Sequence, residues 1–302
     1  MEGKKIAIIT PMKDEITNLP KLIDSINSQE IKIFLWVIID DKSSDGSNEY
    51  LLRNRDKIKN VEHFHLVRSE HLDDAYNLGK KYAAVVSYGF KELERIIDEI
   101  NEEPDYIGIL DADCFLDKKY YSNLLKKFKT FPKLGIASGK LFYFENGDKI
   151  FHRYPDRWAI GGVRLWRTEC YKESGYITGY SADALSTAKA RMRGWQVQSF
   201  EDSLVKSRPV GKNVNSEYYG KSAYYRYIPF YFVLFRVFFY TLINKRKQVE
   251  GYLNGYLNAK KEKMTRLSDP ELKRYFKTIL YRTISENMVV IRNKFLLKLK
   301  NS

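Results

Sequence analysis

The sequence predicts an α/β protein in which helices flank a mostly parallel β-sheet, followed by a helical, basic and aromatic C-terminal extension. Short runs rich in Ile, Val and Phe alternate with longer segments of helical periodicity in the first third of the chain. Strands and helices that alternate in this way form parallel sheets with right-handed crossovers. The run IKIFLWVIID at 31–40 is almost continuously apolar, as in a strand buried on both faces. After residue 210 the composition becomes aromatic and basic, which marks the extension.

Each element follows from a local pattern. The predicted strands are 5–10, 31–40, 61–68 and 105–110. The predicted helices are 16–29, a helix that starts near Asn48, and 73–101. The first of these helices has Leu19, Leu22, Ile23 and Ile26 on one face. The turn DKSSDGS at 41–47 contains Ser and Asp side chains that can cap the second helix.

Three acidic or polar clusters follow predicted strands. They are TPMKDE after the first strand, DDKSSD after the second and DADC after the fourth. Ligands of open parallel sheets bind beyond the carboxyl ends of the strands, so we expect the clusters to converge on one crevice. In the second cluster, either Asp40 or Asp41 turns toward the crevice and accepts hydrogen bonds from a nucleobase or ribose. The alternative for the serines and Asp45 that follow is ordinary turn and capping chemistry.

The DADC cluster ends the stretch YIGILDADCF and contains Asp111 and Asp113. Both side chains point the same way if the chain stays extended, because side chains alternate along a strand. Two neighbouring carboxylates repel unless a cation or a proton lies between them. A divalent cation that also contacts a substrate phosphate fits this arrangement. The alternative is a solvated strand end, and we assign Cys114 and Phe115 to the core.

Composition and charge restrict the class of protein. The 302 residues contain two cysteines, Cys114 and Cys170, so we expect a reducing compartment and no disulfide framework. The N-terminal apolar run is too short for a signal peptide, which predicts a cytoplasmic protein. Residues 220–302 hold 18 of the 52 Lys and Arg but only 5 of the 38 Asp and Glu, so nearly all of the +14 net charge lies there. A surface of this kind meets polyanions, either anionic lipid or nucleic acid.

The segment 224–247 is aromatic and apolar, with basic residues at both ends and Arg236 within it. Its uninterrupted apolar runs are shorter than the ~20 residues that a spanning helix needs. We therefore predict a helix that lies in the plane of a membrane surface. Residues 248–302 are predicted to be helical and basic.

With these motifs the sequence resembles family 2 glycosyltransferases of the GT-A type, whose fold is Rossmann-like. The matching elements are IAIITPMKDE, VIIDDKSSDGS, LDDAYNLGKKYA, ILDADCF and GGVRLWRTECYKESGYITGYSADALSTAKARMRGWQV. They span roughly residues 5–210, in order and with plausible spacing. The resemblance implies a nucleotide-sugar-binding catalytic domain at 1–210 and a helical membrane-associating region at 211–302.

The resemblance also implies a donor site. Carried over residue by residue, the nucleoside is held by Thr10, Glu15 and Asp41. Asp111 orders the diphosphate and shares the metal with Asp113, the usual direct ligand of the DXD motif. The implied cofactor is Mn²⁺ or Mg²⁺, and the implied donor is a UDP- or GDP-sugar.

The family's catalytic base precedes a helix, and YSADAL offers Asp183 at that place. The segment that follows reads as this helix, and Gly194 and Trp195 match the GW that often ends it. A carboxylate that accepts the proton of an attacking hydroxyl is typically worth ~10²–10⁴ in rate. The resemblance thus implies an inverting transfer with Asp183 as base; the alternative for Asp183 is a plain helix N-cap.

The sequence departs from the family pattern at three places. Many relatives have a His after the GW block that completes the metal site, whereas this chain has Lys206 and Arg208 there, either of which could neutralise the diphosphate. Tyr76 replaces the usual Arg before Asn77, and Ala182 replaces the Glu that often precedes the base.

The C-terminal segments YYGKSAYYRYIPFYFVLFRVFF, GYLNGYLNAKKEK and LSDPELKRYF resemble prokaryotic family 2 enzymes of envelope polysaccharide or glycolipid synthesis. This implies peripheral attachment to the cytoplasmic face of an anionic membrane and a lipid-linked or glycan acceptor.

Two other classes compete with the transferase. A nucleotidyltransferase would usually have a Gly-rich phosphate loop after the first strand, and TPMKDE has no Gly. A nucleic-acid binder would have a recognition motif or aromatics interleaved with basic residues, so no nucleic acid is expected. A non-catalytic nucleotide-sugar-binding protein remains open because of the missing His.

Overall fold

The computed structural model describes residues 3–69, 80–152, 154–209, 216–242 and 246–283. These residues form two compact units, and the boundary lies between Lys212 and Asn213.

The first unit is built on a single β-sheet flanked by helices. Its strands are β1 (Ile6–Met12), β2 (Ile33–Asp40), β3 (Val61–Arg68), β4 (Tyr106–Ile109), β5 (Phe115–Leu116), β6 (Leu134–Glu145), β7 (Asp148–Phe151), β8 (Leu165–Arg167) and β9 (Gln196–Lys206). Its helices are α1 (Leu19–Asn27), α2 (Ser47–Arg53), α3 (Lys80–Ile100), α4 (Tyr120–Thr130), α5 (Thr168–Ser174) and α6 (Ala182–Met192).

The strand order is β3-β2-β1-β4-β8-β6-β9-β5, with β7 paired to β6. The four strands predicted from the sequence, β1 to β4, pair in parallel as expected. The predicted fold class is confirmed. Beyond β4 the sheet becomes mixed, because β8 lies antiparallel between β4 and β6 while β9 runs parallel to β6.

Alternation along the strands divides the core into two layers. Ile6 and Ile8 of β1 face the layer that includes α1 and α4, whereas Ala7 and Ile9 face the layer that includes α3 and α5. All eight residues of β2 are buried, as the unbroken apolar run predicts. A fully buried aliphatic side chain contributes about 1.5–3 kcal/mol, so these central strands anchor the edge that carries the acidic clusters.

Two helix starts differ from the predictions and shape that edge. Helix α1 begins at Leu19, with Pro20 in its first turn, and the residues before it form a turn in which the Glu15 carbonyl accepts the Asn18 amide at 2.8 Å. At α2 the cap position is taken by Gly46 with φ 90°, and Asp45 instead accepts the Ser47 amide at 3.0 Å. The start of the predicted helix 73–101 lies outside the described residues, and α3 is described from Lys80.

The second unit is helical in its described residues. Its helices are α7 (Ser216–Tyr225), α8 (Phe230–Leu242), α9 (Arg246–Lys261) and α10 (Pro270–Lys277). Helices α7 and α9 approach so closely that a Cβ on Gly220 would lie 2.1 Å from the Tyr252 carbonyl oxygen. No helix within the described ranges is both long and apolar enough to cross a membrane.

Candidate functional site

The loops after β1 and β2 are hydrogen-bonded into one wall at the carboxyl edge of the sheet. The Asp14 carboxylate accepts the Ser44 amide at 2.7 Å, and the Asp14 amide donates to Ser43 Oγ at 2.9 Å. The Glu15 amide donates to Ser47 Oγ at 3.0 Å. These contacts fix the backbone around Glu15, whose carboxylate accepts hydrogen bonds from the side chains of Asn18 and Arg208.

The two aspartates that close β2 have different surroundings. Asp40 is fully buried, and its two oxygens accept the Ser43 amide at 2.9 Å and the Asn48 side chain at 3.0 Å. Asp41 is nearly buried and lies 3.1 Å from the ammonium group of Lys81. Asp40 therefore organises the loop, whereas Asp41 is the member of the pair that carries an ion pair with α3.

Asp111 and Asp113 follow β4. The Asp111 amide donates to the Gly162 carbonyl at 2.7 Å, and the Tyr82 hydroxyl donates to Asp111 Oδ1 at 2.6 Å. Burial, followed by the charge of Asp113, raises the pKa of Asp111 to about 7. A carboxyl with this pKa marks a place where the fold holds two acids together without enough positive charge to ionise both fully.

The donor atoms at this place fit a hard divalent cation. Oxygen or sulfur atoms of Asp111, Asp113 and Cys114 lie within 4.8 Å of one another. Burial and the neighbouring carboxylates raise the pKa of the Cys114 thiol well above its usual value, so the thiol stays protonated. The usable ligands are therefore two carboxylates, which suit Mg²⁺ or Mn²⁺ better than a soft metal.

A single guanidinium joins two of the acidic clusters. Arg208, in the loop after β9, donates from Nη2 to Glu15 Oε1 at 2.6 Å and from Nε to Asp113 Oδ2. Lys206 instead lies over the ring of Phe144, 5.2 Å from its centroid. Of the two basic residues that stand where relatives have a His, the structure thus brings Arg208 to the carboxylates.

A turn with two glycines connects the carboxylate pair to the predicted base. A Cβ on Gly162 would lie 1.9 Å from Asp111 Oδ2, so a side chain at this position would displace the carboxylate. A Cβ on Gly161 would lie 3.4 Å from the Cβ of Asp183. The backbone of these two glycines therefore lies between Asp111 and Asp183.

Asp183 lies in the first turn of α6 and is half-buried. The N-cap position belongs to Ser181, and the Asp183 carboxylate accepts the Ala184 amide at 2.8 Å. Beneath it, the buried Arg164 donates to the Asp183 carbonyl at 3.2 Å and to the Ala159 carbonyl at 2.6 Å. This guanidinium holds the start of α6, and burial lowers its pKa.

Thr10 is the predicted site residue that the structure does not bring to the crevice. It has no exposed surface, and its hydroxyl accepts a hydrogen bond from Trp36 Nε1 at 2.9 Å. Its nucleotide-binding role stays a prediction. Tyr76, which replaces the usual Arg, and the matching residues Asn77 and Gly79 of LDDAYNLGKKYA lie outside the described residues.

Sequence reasoning missed three residues that shape the site. All three lie within the matching segments, but nothing in the sequence marks a role for Tyr82 or Arg164, since their roles depend on packing. Gly162 was visible as part of a matching segment, and its adjacent glycine is the one signal that could have marked a close backbone approach.

Residues 7–85 match the family described as Glycosyl transferase family 2. No curated protein matches the chain. Among solved structures, S. aureus TarS has a TM-score of 0.53 and 14% identity over 73% of this chain, which spans 38% of TarS. TarS 1-349 in complex with UDP gives the same score, identity and coverage of this chain, which spans 63% of that chain.

A third similar structure is mannosyltransferase PcManGT from Pyrobaculum calidifontis in complex with GDP-Man and Mn²⁺. It has a TM-score of 0.52 and 15% identity, and the alignment covers 97% of this chain and 80% of that one. Identities this low establish a shared fold only. The family match over residues 7–85 and the fold shared with these glycosyltransferase structures agree with each other, and both support a GT-A fold of the family 2 type.

Proposed function

We propose that the chain is an inverting, metal-dependent glycosyltransferase that moves a sugar from a nucleotide-diphosphate sugar to a lipid-linked or glycan acceptor at the cytoplasmic face of a membrane. One observation carries the proposal: the Gly161–Gly162 turn leaves no room for a side chain beside the Asp111 carboxylate, and a Cβ on its first glycine would contact Asp183. A diphosphate site and a proton acceptor are thereby close enough to serve one reaction. The complexes of similar structures with UDP and with GDP-Man support a donor of this class.

Donor binding is assigned to the loops after β1, β2 and β4. Glu15 and Asp41 have the carboxylate oxygens that accept hydrogen bonds from a nucleobase or ribose. Asp111 and Asp113 would hold Mn²⁺ or Mg²⁺, which when bound supplies positive charge for the leaving diphosphate. Arg208, already paired with Asp113, adds a second positive charge at the same place.

The transfer step needs one proton acceptor. The acceptor hydroxyl oxygen forms a bond to the anomeric carbon while the bond from that carbon to the phosphate oxygen breaks. The hydroxyl proton passes to the Asp183 carboxylate, and the bonding electrons leave with the nucleoside diphosphate. Attack opposite to the leaving group inverts the anomeric configuration.

The second unit supplies a surface for the membrane. Helix α8 exposes seven large apolar side chains: Phe230, Tyr231, Leu234, Phe235, Phe238, Phe239 and Leu242. Phe238 and Leu242 are more than 60% exposed. Residues 220–302 also carry nearly all of the net positive charge. An anionic lipid surface therefore complements both the apolar side chains of α8 and this charge.

The donor assignment is tested by calorimetry of UDP, GDP and their sugars with and without Mn²⁺ or Mg²⁺, followed by product analysis. We expect metal-dependent binding, release of a nucleoside diphosphate and an inverted product by NMR. The matched control for removing a carboxylate of the Asp111–Asp113 pair is Asp117→Asn. Asp117 is exposed and close to the pair in sequence, and its carboxylate has no hydrogen bond or ion pair among the described residues. Pyrophosphate as the product would instead indicate a nucleotidyltransferase, and binding without turnover would indicate a non-catalytic protein.

The membrane assignment is tested by sedimentation with phosphatidylglycerol-containing and pure phosphatidylcholine vesicles across salt. We expect binding to the anionic vesicles that salt weakens but does not abolish, because apolar burial is not screened. Phe235→Gln with Phe238→Gln should reduce it, whereas Leu52→Gln, equally exposed on α2, should not. Binding to DNA but not to anionic vesicles would contradict the assignment.

A further inference from the structure

The hairpin of β6 and β7 carries an exposed surface that the proposed chemistry does not use. Five residues form it, and we name it the hairpin patch: Phe142, Phe144, Lys149, Phe151 and Lys206. It combines three phenylalanines with two lysines in the catalytic unit, remote in sequence from α8.

Strand register places the five side chains on one face of the sheet. Phe142 lies opposite Phe151 of β7 on one side and opposite Lys206 of β9 on the other. Phe144, two residues further along the strand, lies opposite Lys149. Directly opposed residues share a face, and so do residues two apart, so the patch is continuous across three strands.

Contacts within the patch confirm this arrangement. The Lys149 ammonium lies 3.9 Å from the centroid of the Phe142 ring and 5.1 Å from that of Phe151. The Lys206 ammonium lies 5.2 Å from the centroid of Phe144. Within the described part of the chain, neither lysine forms a salt bridge. Two unneutralised cations thus lie directly on an aromatic surface.

The patch is exposed at its outer end, beside a tight turn. Phe144 and Phe151 are 52% and 48% exposed. The hairpin turn has Asn146 and Gly147, both with positive φ, as the tight two-residue turns that match strand twist require. Aromatic rings on a hairpin tip contribute little to the core, so their exposure indicates a partner surface.

Lys206 of the patch lies close in the sheet to the carboxylates assigned to the metal. Phe115, two residues after Asp113, lies opposite Lys206. Arg208, two residues after Lys206, pairs with Asp113. Neighbouring strands are about 4.8 Å apart, so the patch begins about one strand spacing from the strand that follows the DXD motif. A partner on the hairpin patch is therefore next to the crevice.

We propose that the hairpin patch docks the catalytic unit onto an anionic lipid surface and so presents a lipid-linked acceptor hydroxyl to Asp183. This rests on the proposed function and adds the place where the catalytic unit meets the lipid. The phenylalanines lie at headgroup level and the lysines contact lipid phosphates. Two arguments favour lipid over other partners: the lysines cover the ring faces that a nucleobase would stack on, and a second copy of this chain would repeat the positive charge.

The position of the hairpin is measured directly with a polarity-sensitive fluorophore. The full chain with Asp148→Cys carries the probe beside the patch, and Lys59→Cys, exposed at the opposite end of the strands, is the matched control. The native thiols Cys114 and Cys170 are buried and react slowly. With phosphatidylglycerol-containing vesicles we expect a blue shift for the probe at 148 and no change for the probe at 59.

Two paired variants test the composition of the patch. Lys149→Gln with Lys206→Gln should weaken anionic vesicle binding about fivefold for each lysine removed and leave binding to phosphatidylcholine unchanged. Phe144→Gln with Phe151→Gln should weaken binding about tenfold overall, including at high salt. Lys149→Gln alone and the phenylalanine pair should keep metal-dependent nucleotide binding, which shows that the fold is intact.

Several outcomes would overturn the inference while sparing the proposed function. Sedimentation of the chain with anionic vesicles while the probe at 148 stays in water would assign all lipid contact to other residues. A blue shift that depends on protein concentration and needs no vesicles would identify a second copy as the partner. If the chain transferred sugar to a soluble acceptor and bound no vesicle at all, both lipid assignments would fail and the transferase would stand.

Discussion

Two pairs of aspartates stand at the ends of the parallel strands β2 and β4, which lie on either side of β1, and the fold treats them differently. Asp40 and Asp41 are adjacent, so their side chains leave β2 in opposite directions. Asp111 and Asp113 are separated by one residue, and their side chains converge closely enough to share a cation. A spacing difference of one residue thus separates a loop anchor from a candidate metal site.

The surroundings of the two pairs complete the contrast. Asp40 uses both oxygens within its own loop, and Asp41 lies beside the ammonium of Lys81. Asp111 keeps a raised pKa even though Tyr82 donates to it, and of the two aspartates only Asp113 forms an ion pair with Arg208. A carboxylate at a strand end has a structural role when groups of its own loop donate hydrogen bonds to both of its oxygens. It is available to a ligand when it is buried with too few hydrogen-bond donors and cations around it.

The largest expected effect follows removal of Asp113. Asp113→Ala should abolish metal-dependent binding of UDP or GDP, because the remaining carboxylate cannot hold the cation at the diphosphate alone. The fold should persist, since the residue lies at a strand end. Calorimetry with and without Mn²⁺ measures this, and equal affinity in the variant would disprove the metal-site assignment.

Asp183→Asn should lower the rate of transfer by about 10²–10⁴ and leave donor affinity unchanged, because the amide keeps the shape but cannot accept the proton. The matched control is Asp202→Asn, an exposed carboxylate whose ion pair is to Lys127 at 2.7 Å. Steady-state rates with a saturating donor separate the two. Loss of transfer in the Asp202 variant alone would move the base to Asp202.

The pH dependence of metal binding should distinguish the two acidic pairs. Burial and Asp113 raise the pKa of Asp111 from 3.8 to about 7, so below that pH a proton competes with the cation. Mn²⁺ affinity in the absence of nucleotide should therefore rise by up to about tenfold per unit as the pH approaches 7, and then level off. A titration that is flat from pH ~5 to ~8 would contradict the raised pKa.

The same shift has a consequence for stability. The folded pKa of Asp111 exceeds the unfolded one, so its ionisation opposes folding and the free energy of unfolding falls as pH rises from about 4 to about 7. Asp111→Asn should therefore stabilise the metal-free protein at pH ~8 relative to wild type and do so less at pH ~5. Thermal unfolding at the two pH values checks this, and a gain that is larger at low pH would reverse the argument.

A smaller effect is expected for Arg208→Gln. Its guanidinium is more than half exposed, so each ion pair is worth at most about 1 kcal/mol. Mn²⁺ affinity without nucleotide should rise up to about fivefold, because a competing cation is gone. Affinity for the nucleoside diphosphate should fall by a similar factor. The control is Lys127→Gln, which removes a lysine paired with Asp202. Unchanged Mn²⁺ affinity in both variants would show that Arg208 does not influence metal binding.

Asp40→Asn should affect stability and not nucleotide affinity. The amide can keep one of the two hydrogen bonds that Asp40 accepts, so the free energy of unfolding should drop by about 1–3 kcal/mol. Denaturant unfolding measures the drop, and calorimetry at a temperature where the variant is folded measures nucleotide affinity. Loss of nucleotide affinity in the folded variant would show that Asp40 is not purely structural and would contradict the contrast drawn between the two aspartate pairs.

Local pattern was sufficient for much of the first unit. The apolar runs that became β1 to β4 predicted parallel strands, because a run buried on both faces needs helices on either side. The DXD motif and the helix after Asp183 were visible because each depends on a few consecutive residues. The strands β5 to β9 were not predicted. The strands β5, β7 and β8 have two to four residues and carry too little periodicity to detect, and the longer strands β6 and β9 were missed as well.

By itself the sequence determined the parallel half of the sheet, the carboxylates at its edge and the basic, aromatic C-terminal part. Only the tertiary structure decided which residues meet those carboxylates. Arg208 reaches Asp113 from 95 residues away, and the turn containing Gly162 passes under Asp111. The structure also shows that the hydroxyl of Thr10 accepts a hydrogen bond from Trp36 and is not directed to the crevice. Side-chain partners of this kind depend on strand order and register, which are set by packing across the whole sheet and leave no pattern in neighbouring residues.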